Sequence, residues 1–350
     1  MTSMSISDLA ARWAELRTTE PNLRIRDAAL RLGTSEAELV ATRLGQGVTR
    51  LHGPWPEIIG AVGGVGEVMA LTRNDSVVHE RHGIYGKLSV DGHVGLIVGE
   101  DIDLRIFFGP WAYGFAVTED TKAGPRSSLQ FFDGAGQAVH KIYATEKTDA
   151  AAFKALAERF RAPEQSAGLA IKPAAPKAPP RPDAEIDTTA LRTEWAALQD
   201  THDFFPLLRK HKVAREQAFR LAGRDFAVPV SNDSTRRMME AAAASDLPIM
   251  VFVGNPGMIQ IHTGTVKRLV PTGPWFNVLD PMFNLHLRED AIASSWLVRK
   301  PSVDGTVTSL ELFDKAGELI VSFFGKRKPG HPELQDWRAL AESLVTKAAA

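Results

Sequence analysis

The sequence contains no cysteine among its 350 residues, so disulfide bonds, thiolate nucleophiles, iron–sulfur clusters and thiolate-ligated metal centres are excluded. Any bound metal must use histidine, carboxylate, tyrosine or methionine ligands. The formal net charge of −1 provides no overall attraction to nucleic acid, so DNA is not an expected partner. No apolar run approaches the roughly 18 residues of a membrane-spanning helix, and the N-terminal segment MTSMSISDLAARWAEL lacks a basic region followed by an apolar core. We therefore expect a soluble cytoplasmic protein without membrane insertion.

The predicted secondary-structure elements occur twice in the same order. Residues 5–33 predict helices, and from Gly66 onward short β-branched and aromatic segments predict antiparallel strands joined by hairpins. Later in the chain, helices over 188–223 are again followed by such strands, and a last helix is predicted over 332–348.

The repetition is also visible in the residues themselves. The segment SLQFFDGAGQAV at 128–139 matches SLELFDKAGELI at 309–320, which is an offset of 181 (309 − 128). Two homologous halves explain this match better than chance does. We therefore predict an α+β fold with an internal duplication, in which each repeat packs helices on a large antiparallel β-sheet.

A compositional break separates the two halves. Residues 163–183, PEQSAGLAIKPAAPKAPPRPD, are rich in proline and alanine and almost lack large apolar side chains. This composition predicts a semi-rigid, disordered linker, which is a poor place for chemistry. The predicted organisation is an N-terminal repeat over 1–162, a linker over 163–187 and a C-terminal repeat over 188–350.

The segment from Thr201 to Gly223 combines three properties that suit heme. It begins with His202, continues with apolar residues that include two phenylalanines, and then becomes strongly basic. A neutral imidazole is a good iron ligand, aromatic rings suit a porphyrin plane, and cations pair with propionates. The alternative is an amphipathic helix with a polar start and a basic surface.

The two repeats differ in length where His202 lies. The spacing from Trp13 to Ala29 is 16 residues (29 − 13), whereas the matching spacing from Trp195 to Ala218 is 23 (218 − 195). Such an asymmetry is the place where a function gained by one repeat would be found. A change of loop length with no functional role explains it equally well.

Arg105 is the candidate residue of the N-terminal repeat. In IDLRIFF the alternation places Ile102, Leu104 and Ile106 on one side of a strand, and Asp103 with Arg105 on the other. One interpretation is a solvent-facing ion pair on a half-buried sheet. The other is a guanidinium above a cofactor, where it donates to a bound small ligand.

Three basic residues of the C-terminal repeat are candidates for binding carboxylates. Lys300 and Arg327 each close a predicted strand, and together with Arg215 they can converge on propionates, since guanidinium forks match carboxylates. Most basic clusters are solvated faces, which is the alternative here.

Two other motifs are weaker. His79 and His82 have a spacing seen in some metal sites, but no third ligand with matching spacing follows. The glycine-rich segment over 60–66 lacks both the Gly-Lys-Ser/Thr ending and the GxGxxG spacing, so we reject nucleotide binding.

Taken together, these motifs resemble the HemS/ChuS/ShuS/HmuS/PhuS family of cytoplasmic hemin-binding and hemin-degrading proteins. The resemblance extends over nearly the whole chain outside the linker and includes the duplication. The segments that carry it are Thr201–Leu221, VMALTRNDSVVHERHGIY, IDLRIFFGPWAYGFAV, SSWLVRKPSVDGTVTSLELFD and FFGKRKPG.

The resemblance implies a fold and a set of site residues. The two large antiparallel sheets would stack back to back, and heme b (iron protoporphyrin IX) would lie between the C-terminal sheet and the helices after the linker. His202 matches the proximal histidine that ligates the iron, and Arg105 matches the distal arginine, which reaches the iron from the N-terminal half. Arg215, Lys300 and Arg327 match basic positions near the propionates.

The resemblance also implies an activity, with one alternative. Members of the family are described as degrading heme oxidatively and releasing iron with an external reductant, with Arg105 as the catalytic donor. The alternative is a carrier or storage protein that receives heme after import and delivers it to a separate heme oxygenase. The two share one pocket, so residues alone do not separate them. A heme importer, a heme oxygenase and an external electron donor are the expected partners.

Overall fold

A computed structural model describes residues 5–121, 124–174, 177–328 and 330–345. Within these ranges the α-helices are α1 Ile6–Thr19, α2 Ile25–Leu32, α3 Glu36–Ala41, α4 Trp55–Ala61, α5 Ala150–Arg159, α6 Thr188–Ala196, α7 Phe204–His211, α8 Arg215–Ala222, α9 Ser234–Ala244 and α10 Gln335–Ser343. Short 3-10 helices span Val62–Val65, Asp183–Glu185, Thr201–Asp203 and Glu289–Ala291. None of the described helices is long and apolar enough to cross a membrane.

The strands of the first half are β1 Val48–Leu51, β2 Gly66–Arg73, β3 Val77–Gly83, β4 Ser89–Asp91, β5 Val94–Ile97, β6 Asp103–Phe107, β7 Trp111–Thr121, β8 Gly124–Asp133 and β9 Ala138–Thr148. Those of the second half are β10 Ala227–Val230, β11 Ile249–Asn255, β12 Met258–Gly264, β13 Leu269–Thr272, β14 Trp275–Leu279, β15 Phe283–Arg288, β16 Ser294–Lys300, β17 Val307–Phe313 and β18 Leu319–Gly325. The described strands form two antiparallel sheets of nine strands each, so the predicted α+β class with large antiparallel sheets is confirmed.

The chain divides into two compact units. The first comprises the described residues of Met1–Arg73, Glu80–Ala175 and Asn255–Gln260, and the second comprises those of Asn74–His79, Pro176–Gly254 and Ile261–Ala350. The division between Ala175 and Pro176 falls inside the predicted linker. Each unit therefore includes one short segment from the other half of the sequence: Asn255–Gln260 belongs to the first unit and Asn74–His79 to the second.

The first unit has two layers of strands with one core between them. Strands β1, β7, β8, β9 and β2 follow each other in a sheet, and β4, β5 and β6 form a smaller antiparallel run. Leu129 and Phe131 of β8 pack in the same buried cluster as Leu104 and Ile106 of β6. The alternation predicted for the segment around Arg105 therefore buries the expected side.

The second unit repeats this arrangement. Strands β10, β16, β17, β18 and β11 follow each other, and β13, β14 and β15 form the smaller run. Leu310 and Leu312 of β17 share a buried cluster with Leu285 and Leu287 of β15. The five-strand run of each unit has the same strand order when the strands are counted within each half, as a duplication requires.

The hairpins that revealed the repeat have the same turn. In the first unit the carboxylate of Asp133 accepts from the backbone N–H groups of Ala135 and Gln137, and in the second Asp314 accepts from those of Ala316 and Glu318, all at 2.8–2.9 Å. A glycine follows at the same place in both turns, Gly136 and Gly317, and both have φ = 74°. A left-handed φ of this size favours glycine, which explains the shared Asp-x-x-Gly pattern.

The segment between the two halves differs from the disordered linker expected from its composition. The side chain of Gln165 bonds both backbone polar groups of Arg50, at 2.8 and 3.0 Å, and Tyr113 donates its hydroxyl to the carbonyl of Ala170 at 2.7 Å. Leu169 and Ile171 pack against the buried cluster beneath α3. Residues 163–172 therefore lie on the first unit as an extended strap.

Candidate functional site

His202 lies in the 3-10 turn Thr201–Asp203 that immediately precedes α7, so the predicted helix begins two residues later than expected. Its side chain is 84% exposed. Asp200 caps the turn, and one carboxylate oxygen, Oδ1, accepts both the backbone N–H of His202 at 2.8 Å and its ring Nδ1 at 2.7 Å. The backbone N–H and then the ring of His202 hold the pKa of Asp200 below its ordinary value, and Arg327 adds to this effect.

The turn is held from beneath by buried aromatic rings. Phe204, the first residue of α7, lies edge-on against Trp195 with ring centroids 4.5 Å apart and stacks on Phe219 at 6.0 Å. Trp195 donates its Nε1–H to the carbonyl of Arg299 at 3.0 Å, which ties α6 to β16. The apolar face predicted for this helix is confirmed, since Phe204 and both leucines of α7 are buried. Phe205 does not belong to this face, because it is exposed.

Arg215 and Lys300 meet at a carboxylate that sequence reasoning did not identify. The side chain of Glu311 on β17 is fully buried. Arg215 donates to it through Nε at 2.7 Å and Nη2 at 3.0 Å, and Lys300 donates through Nζ at 2.6 Å. Both cations also lie over the ring of Phe204, at 5.5 and 4.8 Å from its centroid.

This cluster contains one more positive than negative charge. Burial would raise the pKa of Glu311, but Arg215 and Lys300 hold it at about 2. Burial lowers the pKa of Lys300 to about 8, against the opposing attraction of Glu311. Lys300 is only 3% exposed, whereas Arg215 keeps 26% of its side chain exposed and can reach a ligand from the surface.

Arg327 contributes to the lowered pKa of Asp200, the capping residue of the His202 turn. Its Nη2 donates to Asp304 at 3.2 Å, and the same carboxylate oxygen accepts the backbone N–H of Gly330. Among the described residues its buried Nε has no hydrogen-bond partner. The structure therefore places Arg215 and Lys300 over the ring of Phe204, the residue that follows the His202 turn, and Arg327 within electrostatic reach of Asp200, which caps that turn.

Arg105 belongs to the first unit. It lies on β6 opposite Leu96 of β5, forms an ion pair with Asp103, and keeps 29% of its side chain exposed. Burial raises the pKa of Asp103, although Arg105 opposes this shift. The ion pair considered from the sequence is thus present. Its second predicted role, as a donor to a small ligand at a cofactor, stays a prediction.

Sequence reasoning missed Asp200 and Glu311 as members of the site. Glu311 had a signal in the repeat, because the offset of 181 aligns it with Gln130, and a charge on an otherwise apolar strand needs a partner. Asp200 also had a signal, because aspartate is a preferred capping residue and a cap accepts from the backbone N–H two residues later, here that of His202.

Comparison with known proteins gives consistent matches over almost the whole chain. The family model described as "Haemin-degrading HemS.ChuX domain" matches residues 33–160 and again 212–344, once in each repeat. The chain is 41% identical to the hemin transport protein HmuS of Yersinia pestis over 345 residues, which covers 97% of this chain and 98% of HmuS.

Solved structures agree in fold. The crystal structure of holo-PhuS, a heme-binding protein from Pseudomonas aeruginosa, superposes with a TM-score of 0.96 at 52% identity and covers 98% of this chain and 100% of PhuS. The heme-degrading enzyme ChuS of Escherichia coli O157:H7 gives a TM-score of 0.92 at 40% identity and covers 98% and 100% of the two chains. The present chain belongs to the haemin-degrading HemS/ChuX family.

Proposed function

We propose that this protein binds heme b through His202. The observation that supports this assignment best is the exposed imidazole, whose Nδ1 lies 2.7 Å from a carboxylate oxygen. A carboxylate accepts and does not donate, so the ring proton resides on Nδ1 and the lone pair of the neutral ring resides on the exposed Nε2. An imidazole held in this way is suited to ligate iron.

The surrounding charges and rings fit the rest of the cofactor. Arg215 and Lys300 share one carboxylate, Glu311, so a propionate of heme would balance the remaining positive charge. Arg327 is the second proposed propionate contact, since its Nε is unused among the described residues. Phe205, exposed on α7, offers an apolar ring beside the His202 turn.

Arg105 of the first unit is a further proposed participant, as a cationic donor to a small ligand that the heme iron would bind. Its guanidinium has five N–H donors, and the ion pair with Asp103 orients it while leaving donors unused. Bound heme would supply the redox-active iron, and an external electron donor would supply the electrons. The contribution of the chain is to bind the iron through His202, neutralise propionates and provide a cationic donor at Arg105.

The proposed role is degradation of heme in the cytoplasm, with release of iron, after heme import. Two relatives support different versions of this role, since ChuS is called a heme oxygenase and HmuS a hemin transport protein. The alternative is a carrier that passes heme to a separate heme oxygenase.

One experiment distinguishes the two versions. The purified hemin complex is incubated with ascorbate, with and without catalase, while the Soret band and released iron are followed. Degradation by the protein predicts stoichiometric loss of the band and release of iron in the presence of catalase. If bleaching disappears with catalase, free peroxide has attacked the heme and the carrier version holds.

A further inference from the structure

The carboxylate of Asp200 contacts His202 at two atoms. The same oxygen, Oδ1, accepts the backbone N–H at 2.8 Å and the ring Nδ1–H at 2.7 Å. The two bonds fix the ring relative to its own backbone, although the side chain is otherwise exposed. Asp203, on the other side of His202, makes no side-chain capping hydrogen bond to α7.

We propose that Asp200 is the positioning residue of the iron ligand: it holds His202 in the Nδ1–H tautomer and increases the electron donation of Nε2. This inference rests on the proposed function, in which His202 ligates heme iron. A carboxylate that accepts from the remote N–H of a metal-binding imidazole fixes its tautomer and raises its basicity. A more basic axial ligand favours ferric over ferrous iron, because hydrogen bonding behind an axial ligand tunes the iron potential.

The geometry explains why an aspartate is needed. A neutral asparagine at position 200 has the same shape but only one oxygen, and in one of its two orientations this oxygen keeps both bonds to His202. Its amide can instead donate to Nδ1 in the opposite orientation, which moves the ring proton to Nε2 and removes the lone pair from the exposed nitrogen. In the serine-protease triad, replacing the aspartate beside the histidine with asparagine leaves the geometry intact and produces the wrong histidine tautomer.

The first test needs no heme. The tautomer of His202 is read from ¹⁵N shifts in long-range ¹H–¹⁵N spectra of the hemin-free protein, at a pH where the ring is neutral. We expect the protonated nitrogen to be Nδ1 in the unmodified protein, and Nε2 to carry a large share of the proton in Asp200→Asn. The same tautomer in both proteins would overturn the proposal.

The second test uses the hemin complex. Asp200→Asn is expected to lower the iron–histidine stretching frequency of the ferrous complex and to reduce the preference for ferric iron about tenfold. This reduction corresponds to a midpoint potential about 59 mV more positive. Asp200→Glu, which keeps the carboxylate, should restore part of both values, and Asp203→Asn should match the unmodified protein. An unchanged frequency and potential in Asp200→Asn would exclude a positioning role.

The two proposals fail in different ways. If His202→Ala leaves the hemin spectrum unchanged, the iron ligand lies elsewhere and the proposed function is wrong in that respect, whatever the tautomer of His202. If His202→Ala alters the spectrum while Asp200→Asn leaves tautomer and potential unaltered, only the role of Asp200 is refuted.

Discussion

The exposed ring of His202 is attached to a backbone that the core holds in place. Phe204, two residues later, is buried against Trp195 and Phe219, and the carboxylate of Asp200 orients the ring. The side chain contributes little to packing, because 84% of it is exposed. A change at residue 202 should therefore affect the ligand and leave the fold intact.

We predict that His202→Ala weakens hemin binding and shifts the Soret band, because it removes the axial bond, while the midpoint of thermal unfolding of the hemin-free protein stays within about 2 °C. Hemin titration and a thermal melt measure both quantities. His93→Ala, which removes an exposed histidine of the first unit, is the control and should change neither.

Arg105 has a distinct expected effect. Arg105→Ala should retain hemin but lower the affinity of the ferric complex for cyanide about tenfold, since a hydrogen bond from a charged donor contributes roughly 1.5–3 kcal/mol. Arg43→Ala removes a guanidinium that pairs with Glu119 in the same unit, and it should leave cyanide affinity unchanged. Equal affinities in all three proteins would restrict Arg105 to its ion pair with Asp103.

At the scale of elements, the sequence predicted most where local patterns determine structure. Ser35 and Glu38 form a capping box at the start of α3, and the Asp-x-x-Gly turns at Asp133 and Asp314 close hairpins in the region predicted to form them. The strap was misjudged because proline and alanine indicate little burial. Its order comes from hydrogen bonds with distant residues, such as those of Gln165 with Arg50, and these leave no local pattern.

Gln165 provides a test of the strap. Gln165→Ala removes three hydrogen bonds, two to Arg50 and one to the carbonyl of Ala162, so we expect the free energy of unfolding to fall by about 1–3 kcal/mol and cleavage within 163–172 by a broad-specificity protease to become faster. Denaturant titration and limited proteolysis measure these effects. The neighbouring exposed Glu164→Ala is the control. Equal cleavage rates for the two variants would mean that the strap is not held by Gln165.

At the scale of the whole molecule, the buried charges depend on contacts that no local pattern contains. Arg215 and Glu311 are 96 residues apart in sequence and meet through packing of α8 on the sheet of the second unit. Lys300 was a candidate because it closes a predicted strand, and Arg215 because it lies in the basic part of the segment from Thr201 to Gly223. The register of β16 and β17 pairs Glu311 with Trp296 and Lys300 with Val307, so the two meet only because the long side chain of Lys300 reaches along the sheet to the carboxylate.

We predict that Glu311→Gln lowers the free energy of unfolding by about 3 kcal/mol at neutral pH, because Lys300 stays buried without its carboxylate. The pKa of Glu311 is lowered to about 2 in the folded state, so its stabilisation is complete above its ordinary value of 4.5 and is lost as the pH falls toward 2. Lys300 offsets part of this stabilisation, because burial makes its charged amine less favourable in the folded protein than in the unfolded chain.

Urea titrations across this pH range should therefore show a flatter acid limb for Glu311→Gln than for the unmodified protein. Asp290→Asn, which removes an exposed pair with Arg288, should give a curve close to the unmodified one. Parallel curves for Glu311→Gln and the unmodified protein would contradict the assigned pKa.

The charge imbalance among Arg215, Lys300 and Glu311 also separates recognition of the macrocycle from recognition of the metal. An iron-free porphyrin with free propionates should still raise the melting temperature, since it supplies the missing negative charge. Its dimethyl ester, which has the same ring and no anionic groups, should not. The propionates of a tetrapyrrole would then determine whether the protein binds it. The imidazole of His202 would add affinity only for tetrapyrroles that contain iron.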